Sequence, residues 1–569
     1  MPPWLFASLR GYRVRWLSRD IVAGVMLAAI AIPGQLATAR LAGMPPETGI
    51  YAFAAGSLAF AAFGGNRFMS VAADSTIAPI FAGGLLSLAE VGSPHYVELV
   101  TLLALMVGAI LVAVGLLRAS WLATLLSIPV TTGFLAGIAI HIIVGELPTL
   151  LGLPEVRGHV LARLFHILGR LGEANPYAFA VGGGVLVITF AAARISSRIP
   201  GALIGIAAAG AAMAMFHLER RGVGLLNALP IELPRPALPP LPDGHDIGRL
   251  VPLALIVAMV CIMQTSAVAS TFPSEKGRPD DASRDFFGVG AGSIVAGVIG
   301  SFAVDASPPS TAVVAESGGR SQIAAITAVG LMIVLFLLAG GLMSYVPHAA
   351  LAGILIYIAM KIFRLDEMIR IYRRSRREIL LVAASGALVV ALPIETGMAL
   401  AIVLSFINSL YAVARPYCAE LARVRGSTVW WPPGGEKGEH VPGVLVFATA
   451  APLAFANAQY ISDRIRAALA AAPAPVKLLV IEASGMIDVD YTGSRILQQT
   501  IAELRSRSID VAIARLLDPR AHEEAERTGL LAALGPGRVF KSVEEAVRAL
   551  APHAVGWVKA PGEAPDIMQ

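Results

Sequence analysis

Charged residues are scarce in this sequence, and the scarcity is uneven. Asp, Glu, Lys and Arg make up 15% of the 569 residues, while 56% are hydrophobic. Soluble proteins carry about 25% charged residues. The charges are sparse before about residue 415 and ordinary after it. This composition excludes a wholly soluble protein and predicts a membrane part followed by a soluble part.

Cysteine, basic surface and phosphate loops are also lacking. Cys261 and Cys418 are the only cysteines, too few for a disulfide framework, and Cys261 lies in an apolar run typical of a core. The net charge is only +5 and comes from Arg clusters beside apolar segments, so no nucleic-acid partner is predicted. No Walker-type loop is present, which argues against a nucleotide enzyme. We expect neither an enzyme nor a bound metal or cofactor.

What the sequence has instead is a long series of apolar segments. A membrane helix needs about 20 mostly apolar residues, and fourteen segments are candidates. The segment near 74–90 begins with polar residues, and the one near 307–317 is too short for a full span. The fourteen lie near residues 20–40, 48–64, 74–90, 97–118, 121–146, 175–193, 200–217, 250–271, 285–302, 307–317, 322–343, 345–361, 377–393 and 395–413.

The arrangement of these segments predicts an inverted repeat. A Pro-rich loop, residues 218–249, divides the series into seven and seven, with the weak span third in each half. Matching interrupted spans are typical of transporter sites built from broken helices. With both ends cytoplasmic, most Lys and Arg, including the run from Arg370 to Arg377, fall inside, as the positive-inside rule requires. The predicted membrane domain is residues 1–415, with halves of about 1–245 and 246–415.

The pattern changes after residue 415. Residues 416–442 are predicted to be a linker and 552–569 a tail, with a cytoplasmic α/β domain at 443–551 between them. Strands are expected at 443–449, 477–483 and 510–516. Helices are expected at 455–470, 492–506, 519–531 and 542–551.

Three motifs carry a resemblance to a known family. The first span contains Ala31-Ile32-Pro33-Gly34-Gln35 and continues to Thr48-Gly49-Ile50-Tyr51. Gln264-Thr265-Ser266 and Asp305-Ala306-Ser307-Pro308-Pro309-Ser310-Thr311 follow in order, and Asp490-Tyr491-Thr492-Gly493 lies in the tail. Together they resemble the sulfate permease (SulP) family of anion transporters, whose C-terminal domain is a STAS domain. The resemblance implies fourteen spans, an inverted repeat, a homodimer and a small inorganic anion as substrate.

The interrupted spans suggest where that anion binds. A half-helix that begins in mid-membrane presents unpaired N–H groups and a positive dipole end, which form an anion site without a basic side chain. Pro308 and Pro309 suit a first helical turn. The candidate substrate-binding residues are Gln35, Thr38, Ala73, Ser75, Thr76, Ser307, Ser310 and Thr311. The alternative is that these residues only cap helices, although one residue can both cap a helix and bind an anion.

Four further positions are candidates for charge or ion coupling. Gln264 stands where many bacterial relatives carry the acidic residue thought to couple a cation, so H+ or Na+ coupling would fall to Asp74 or Asp305 unless these only cap helices. Arg40 lies in the first span, where a basic side chain is costly unless paired or hydrated. It could attract substrate, pair with Asp74 or Asp305, or reach the outer surface. Within the tenth span, Ser310 stands where many relatives carry an Arg before the Thr-Ala pair, here Thr311-Ala312.

Two other segments have structural interpretations. The Gly288-Val289-Gly290-Ala291-Gly292 run imitates a nucleotide loop, but its place in a membrane span predicts close helix packing. In the tail, Tyr491 replaces the serine phosphorylated in bacterial STAS relatives, and Thr492 is expected to cap the following helix. We therefore expect this domain to act by packing and by binding a protein partner, without a phosphoserine switch.

The predicted function is secondary active transport of a small inorganic anion, most simply sulfate, across the cytoplasmic (inner) membrane by alternating access. Bicarbonate, chloride or a dicarboxylate fits the same family. A nucleobase permease shares the membrane fold but usually lacks a STAS tail, and a membrane-anchored signalling protein would not need fourteen spans. The expected partners are the anion, membrane lipid and a second copy of the chain.

Overall fold

The computed structural model describes residues 5–9, 12–125, 127–154, 159–196, 199–226, 236, 244–274, 282–339, 345–425, 427–432 and 438–552. The chain forms two compact units, Met1–Ser405 and Phe406–Gln569. The predicted tail beyond residue 552 and half of the predicted 218–249 loop, residues 227–235 and 237–243, lie outside the described residues.

The first unit is helical. Each of the fourteen predicted segments overlaps one helix, and the two additional helices, α6 and α14, are amphipathic. The helices are α1 (Leu17–Leu41), α2 (Pro46–Phe63), α3 (Ala78–Leu85), α4 (Pro94–Leu116), α5 (Ile128–Leu151), α6 (Val160–Gly169), α7 (Pro176–Ile195), α8 (Gly201–Phe216), α9 (Gly244–Thr271), α10 (Ala282–Val298), α11 (Pro308–Glu316), α12 (Ile323–Ala339), α13 (His348–Ile362), α14 (Leu365–Arg374), α15 (Arg376–Ala391) and α16 (Ile394–Ala414).

Seven stretches of the described chain are helical, long and apolar enough to cross a bilayer. They comprise α1, α4, α5, α7, α9, α13 with α14, and most of α16. The remaining helices are shorter or less apolar, so the number of fourteen spans and the seven-plus-seven repeat stay predictions. Many exposed residues on these helices are large and apolar, as expected of surfaces that face lipid.

Glycines allow the central helices to approach closely, as predicted for the run from Gly288 to Gly292. A Cβ on Gly290 would lie 2.8 Å from the carbonyl oxygen of Gly108 on α4, and one on Gly292 would lie 3.0 Å from the Cα of Gly56 on α2. Because no larger residue fits without moving backbone, these glycines are packing residues. The prediction of close helix packing in this run is confirmed.

Two short strands interrupt the helical unit and connect its halves. Strand β1 (Val71–Ala72) pairs antiparallel with β2 (Asp305–Ala306) through Val71 opposite Ala306 and Ala72 opposite Asp305. Both strands are buried. Non-helical backbone at membrane depth needs such burial and pairing. Because the pair is antiparallel, the chain leaves it in opposite directions, from β1 toward α3 and from β2 toward α11.

The second unit is an α/β domain. Its sheet has the order β4-β3-β5-β6-β7-β8, in which β5 to β8 are parallel and β3 is antiparallel to β4 and β5. Its elements are β3 (Cys418–Arg423), β4 (Trp430–Trp431), β5 (Val444–Thr449), α17 (Ala458–Ala471), β6 (Leu478–Glu482), α18 (Tyr491–Ser506), β7 (Asp510–Ala514), α19 (Pro519–Arg527), α20 (Leu530–Leu534), β8 (Val539–Phe540) and α21 (Val543–Leu550).

The structure differs from the sequence-based expectation in two places here. Residues 416–442, predicted to be a linker, contain β3 and β4, because β3 pairs antiparallel with β5 and buries Leu421, Ala422 and Arg423. The helix cap predicted at Thr492 is instead Asp490. Its Oδ1 accepts the N–H of Gly493 at 2.6 Å, and α18 already begins at Tyr491. Asp is among the best N-cap residues.

Candidate functional site

A cavity of about 530 Å³ lies within the helical unit. It is bounded by α1, the turn before α3, α9, the start of α11 and α13. Nine of the twelve predicted site residues line it: Gln35, Thr38, Ala73, Asp74, Ser75, Thr76, Gln264, Ser307 and Ser310. Asp305, Thr311 and Arg40 are not part of the lining. The two interrupted segments and the first span thus meet at one place.

The turn before α3 and the start of α11 line this cavity, and each follows a strand of the β1–β2 pair. The N–H of Ser307 donates to the Ser70 carbonyl at 2.9 Å. Pro308 and Pro309 occupy the first turn of α11, so Ser310 carries the first N–H of that helix. Groups in a first turn have no intrahelical acceptor and lie at the positive dipole end. The Ser307 hydroxyl also donates to that of Ser310 at 3.1 Å.

Gln35 acts on the backbone rather than pointing a free amide into the cavity. Its Nε2 donates to the Ala73 carbonyl, and its Oε1 accepts the Ala73 N–H, both at 3.1 Å. The side chain is 6% exposed. Because both polar ends of the amide are used, Gln35 positions the turn that carries Asp74 and Ser75. Sequence reasoning grouped it with substrate-binding residues and could not show this contact.

Asp74, Thr76 and Gln264 form a connected polar group. Oδ1 of Asp74 accepts the backbone N–H of Thr76 at 2.7 Å and also its hydroxyl. The Gln264 amide donates to the same hydroxyl oxygen. All three residues are buried, and Arg364 lies close enough for its charge to act on Asp74. Gln264 therefore occupies the position beside Asp74 as a neutral donor.

Asp305 is the most deeply buried carboxylate near the cavity. Its Oδ1 accepts the Ala306 N–H at 2.7 Å and lies 3.5 Å from the Thr265 hydroxyl. Its Oδ2 has no nitrogen or oxygen partner among the described residues. The Cys261 thiol and the Asp74 carboxyl are its other polar neighbours. The residue is fully buried, so an uncompensated charge there would be costly.

Thr311 faces away from the cavity. Its hydroxyl donates to the Ser307 carbonyl at 2.7 Å and accepts the Ser70 N–H at 3.0 Å. These bonds tie the first turn of α11 to the strand pair. Thr311 therefore holds the site together from behind, and the structure does not place it among groups that could touch an anion.

Arg40 pairs with neither Asp74 nor Asp305. Its guanidinium donates to the Thr149 hydroxyl at 2.8 Å and to the His348 carbonyl at 3.2 Å, and lies 3.9 Å from Glu146. It thus connects α1 to α5 and α13. Of the three alternatives for Arg40, pairing with an aspartate is not observed, because Glu146, a residue that sequence reasoning did not consider, is the carboxylate within 4 Å.

Sequence reasoning also missed a basic rim. Lys361 and Arg364, at and just beyond the end of α13, line the cavity and are exposed. The Lys361 ammonium lies 5.8 Å from the Tyr357 ring centre, and Tyr357 also lines the cavity. In the sequence these two residues contributed only to the number of basic residues predicted on the cytoplasmic side. Exposed cations at the mouth of a cavity attract anions.

No cluster of three or more His, Cys, Asp or Glu that could hold a metal occurs in the described part of the chain.

Comparisons with known proteins identify the family of the chain. Residues 17–385 match the Sulfate permease family and residues 438–546 match the STAS domain. A Mycobacterium tuberculosis protein named "Probable sulfate transporter" is 31% identical over 547 residues, covering 95% of this chain and 97% of the relative.

Two solved structures share the fold. The murine anion transporter Slc26a9 in its inward-facing state has a TM-score of 0.85 at 18% identity, covering 95% of this chain and 92% of that one. The transmembrane domain of the cyanobacterial bicarbonate transporter BicA has a TM-score of 0.59 at 20% identity, covering 69% of this chain and 97% of that one. The chain belongs to the sulfate permease family of multi-pass membrane anion transporters, which are not enzymes, and it carries a C-terminal STAS domain.

Proposed function

We propose that this protein carries a small inorganic anion through the cavity at the starts of α3 and α11, by alternating access. The observation that supports this most is the junction of two short helices on one strand pair, with Ser75 and Ser310 facing the same space. Helix starts and hydroxyl groups bind oxyanions without a buried basic residue. The exposed Lys361 and Arg364 at the rim would draw the anion in.

Sulfate is the first candidate substrate. The mycobacterial relative is named for sulfate, whereas the structurally similar BicA is described as a bicarbonate transporter. Chloride and dicarboxylates are alternatives, because neutral hydrogen-bond donors at a helix start select an anion by its charge and size more than by its chemical identity. The family match and the STAS domain disfavour a nucleobase permease.

Coupling to H+ or Na+ would use Asp305 or Asp74. The two carboxyl groups interact electrostatically in a buried region, and Oδ2 of Asp305 lacks a nitrogen or oxygen partner among the described residues. A bound cation would offset the cost of these charges. Gln264, being neutral, cannot take this role alone.

The arrangement in the cell follows from charge and family. We place the protein in the cytoplasmic membrane, with both termini and the STAS domain cytoplasmic, because the basic run from Arg370 to Arg377 then lies inside. A homodimer is expected from the family resemblance. The STAS domain would act through packing and a protein partner.

Proteoliposomes test the proposal directly. Purified full-length protein should take up labelled sulfate, and an excess of unlabelled sulfate should compete with that uptake. Bicarbonate, chloride and a dicarboxylate are tested under the same gradient. The matched control is Ser310→Trp, which fills the cleft. Uptake of none of these anions, or uptake unaffected by Ser310→Trp, would contradict the proposal.

A further inference from the structure

Helix α14 has no role in the proposed transport site, yet its surface is strongly patterned. Its inner side packs on α5 and α15 through the buried Ile371. Next to this side runs an apolar stripe of Leu365, Ile369 and Tyr372, which are 57%, 41% and 59% exposed. Their spacing of four and three residues places them on one helix face. Such exposure is unfavourable in water and favourable against lipid.

The remaining face of α14 is basic. Arg370, Arg373 and Arg374 follow the apolar stripe around the helix, and Arg376 and Arg377 begin α15 directly after Ser375. Arg370 pairs with Glu367. In the part of the chain that the structure describes, Arg373, Arg374, Arg376 and Arg377 make no ion pair and are exposed. Four cations therefore surround one turn without an anionic partner.

The acidic residues nearby do not neutralise this cluster. Residues 364–378 contain six arginines and three acids, namely Asp366, Glu367 and Glu378. Glu367 is used by Arg370, and Asp366 and Glu378 are exposed. The segment keeps a net positive charge beside an apolar stripe, which is the pattern of a helix that lies in a membrane interface.

We propose that α14 and the α14–α15 turn form a binding surface for anionic phospholipid, with Leu365, Ile369 and Tyr372 among the acyl chains and the four unpaired arginines on the headgroups. Apolar groups alone would accept any lipid, whereas arginines select phosphate-rich, negatively charged headgroups because a guanidinium binds phosphate bidentately. The surface is independent of the anion cavity, so this proposal does not depend on the identity of the transported substrate.

Native mass spectrometry of the full chain in detergent tests the binding. The protein is titrated with dioleoyl phosphatidylglycerol or with dioleoyl phosphatidylcholine, which have the same acyl chains. We expect the anionic lipid to be retained preferentially. The combined variant Arg373→Gln, Arg374→Gln, Arg376→Gln, Arg377→Gln should lose roughly tenfold or more of its affinity for it, since each basic residue at an anionic surface adds several-fold.

A matched control removes the same charge elsewhere. Arg425, Arg464, Arg495 and Arg520 are exposed arginines of the α/β unit, and their combined change to Gln should leave lipid retention within about twofold of wild type. Circular dichroism and gel filtration confirm that each variant is folded. Equal retention of both lipids by the wild type, or unchanged retention in the α14–α15 variant, would overturn the proposal. So would an equal loss in the control variant.

Discussion

Gln35 and Ala73 are joined by two hydrogen bonds of 3.1 Å that use both ends of the Gln35 amide. Gln35 belongs to a continuous helix, while Ala73 lies in the non-helical segment between β1 and α3. The bonds therefore fix the start of one short helix against the first span. The geometry of the cavity therefore depends on a residue whose amide nitrogen and oxygen both bond to the backbone of Ala73.

The contact predicts a graded loss of transport. Gln35→Glu keeps an acceptor for the Ala73 N–H but loses the donor, whereas Gln35→Met loses both bonds. Because each unpaired buried backbone group costs about 1–3 kcal/mol, we expect anion affinity to fall in Gln35→Glu and further in Gln35→Met. Uptake kinetics in proteoliposomes measure this. Equal anion affinities in wild type and Gln35→Met would show that the two Gln35–Ala73 hydrogen bonds do not shape the site.

Ser310 tests the position of the anion. Ser310→Trp adds a large ring at the first turn of α11 and should abolish uptake without changing membrane insertion. Ser310→Ala removes one hydroxyl but leaves the helix N–H groups in place, so it should weaken binding by about 1 kcal/mol. Insertion is checked by gel filtration of the purified protein. Wild-type uptake of every anion by Ser310→Trp would rule out this placement.

Asp305 and Asp74 test coupling. Asp305→Asn removes the carboxylate whose Oδ2 has no nitrogen or oxygen partner among the described residues. If this group binds the coupling cation, Asp305→Asn should abolish accumulation driven by a pH or sodium gradient yet leave anion exchange intact. Asp74→Asn is the parallel variant, with Asp246→Asn on the same unit as a control outside the cavity lining.

The result separates the candidates. Loss of accumulation in only one variant assigns coupling to that carboxylate. If both variants still concentrate the anion against its gradient, coupling through this pair is wrong and the protein acts by another route.

The basic rim should act on capture rather than on turnover. Lys361→Gln with Arg364→Gln removes two exposed cations from the cavity mouth. We expect KM to rise several-fold at low ionic strength with little change in kcat, and the difference should shrink near physiological salt because the Debye length is then about 8 Å. Arg220→Gln, an exposed cation whose neighbours in the chain do not line the cavity, is the control. A KM effect that is independent of salt would contradict steering.

Removal of the STAS domain tests its separation from the site. A deletion from residue 443 onward leaves β3 and β4 without β5, so unpaired strand edges would promote aggregation. A deletion from residue 416 removes the whole sheet. We expect the longer deletion to be better behaved in gel filtration, and both deletions to keep the order of anion selectivity while lowering yield or rate. A changed selectivity order in the longer deletion would place part of substrate recognition in the STAS domain.

The local sequence predicts much of this architecture. Long apolar segments are helical because only a helix satisfies its backbone within one segment of a membrane. Pro308 and Pro309 mark the start of α11 through their own backbone preference, since proline suits a first helical turn and little else in a helix. Short, nearly continuous apolar runs located the parallel strands β5, β6 and β7. The family motifs also pointed to most of the residues that line the cavity.

Contacts between distant residues were decided only by the tertiary structure. The partner of Arg40 is Glu146 rather than an aspartate, Thr311 points behind the site, and β3 joins a sheet from a segment that resembles a linker. Each outcome depends on which of several compatible partners comes within hydrogen-bond distance. Local propensity cannot rank those partners, because each bond forms across about 30 to 240 residues of chain. The sequence determines the helices and the chemistry they carry, and packing selects which groups face the cavity.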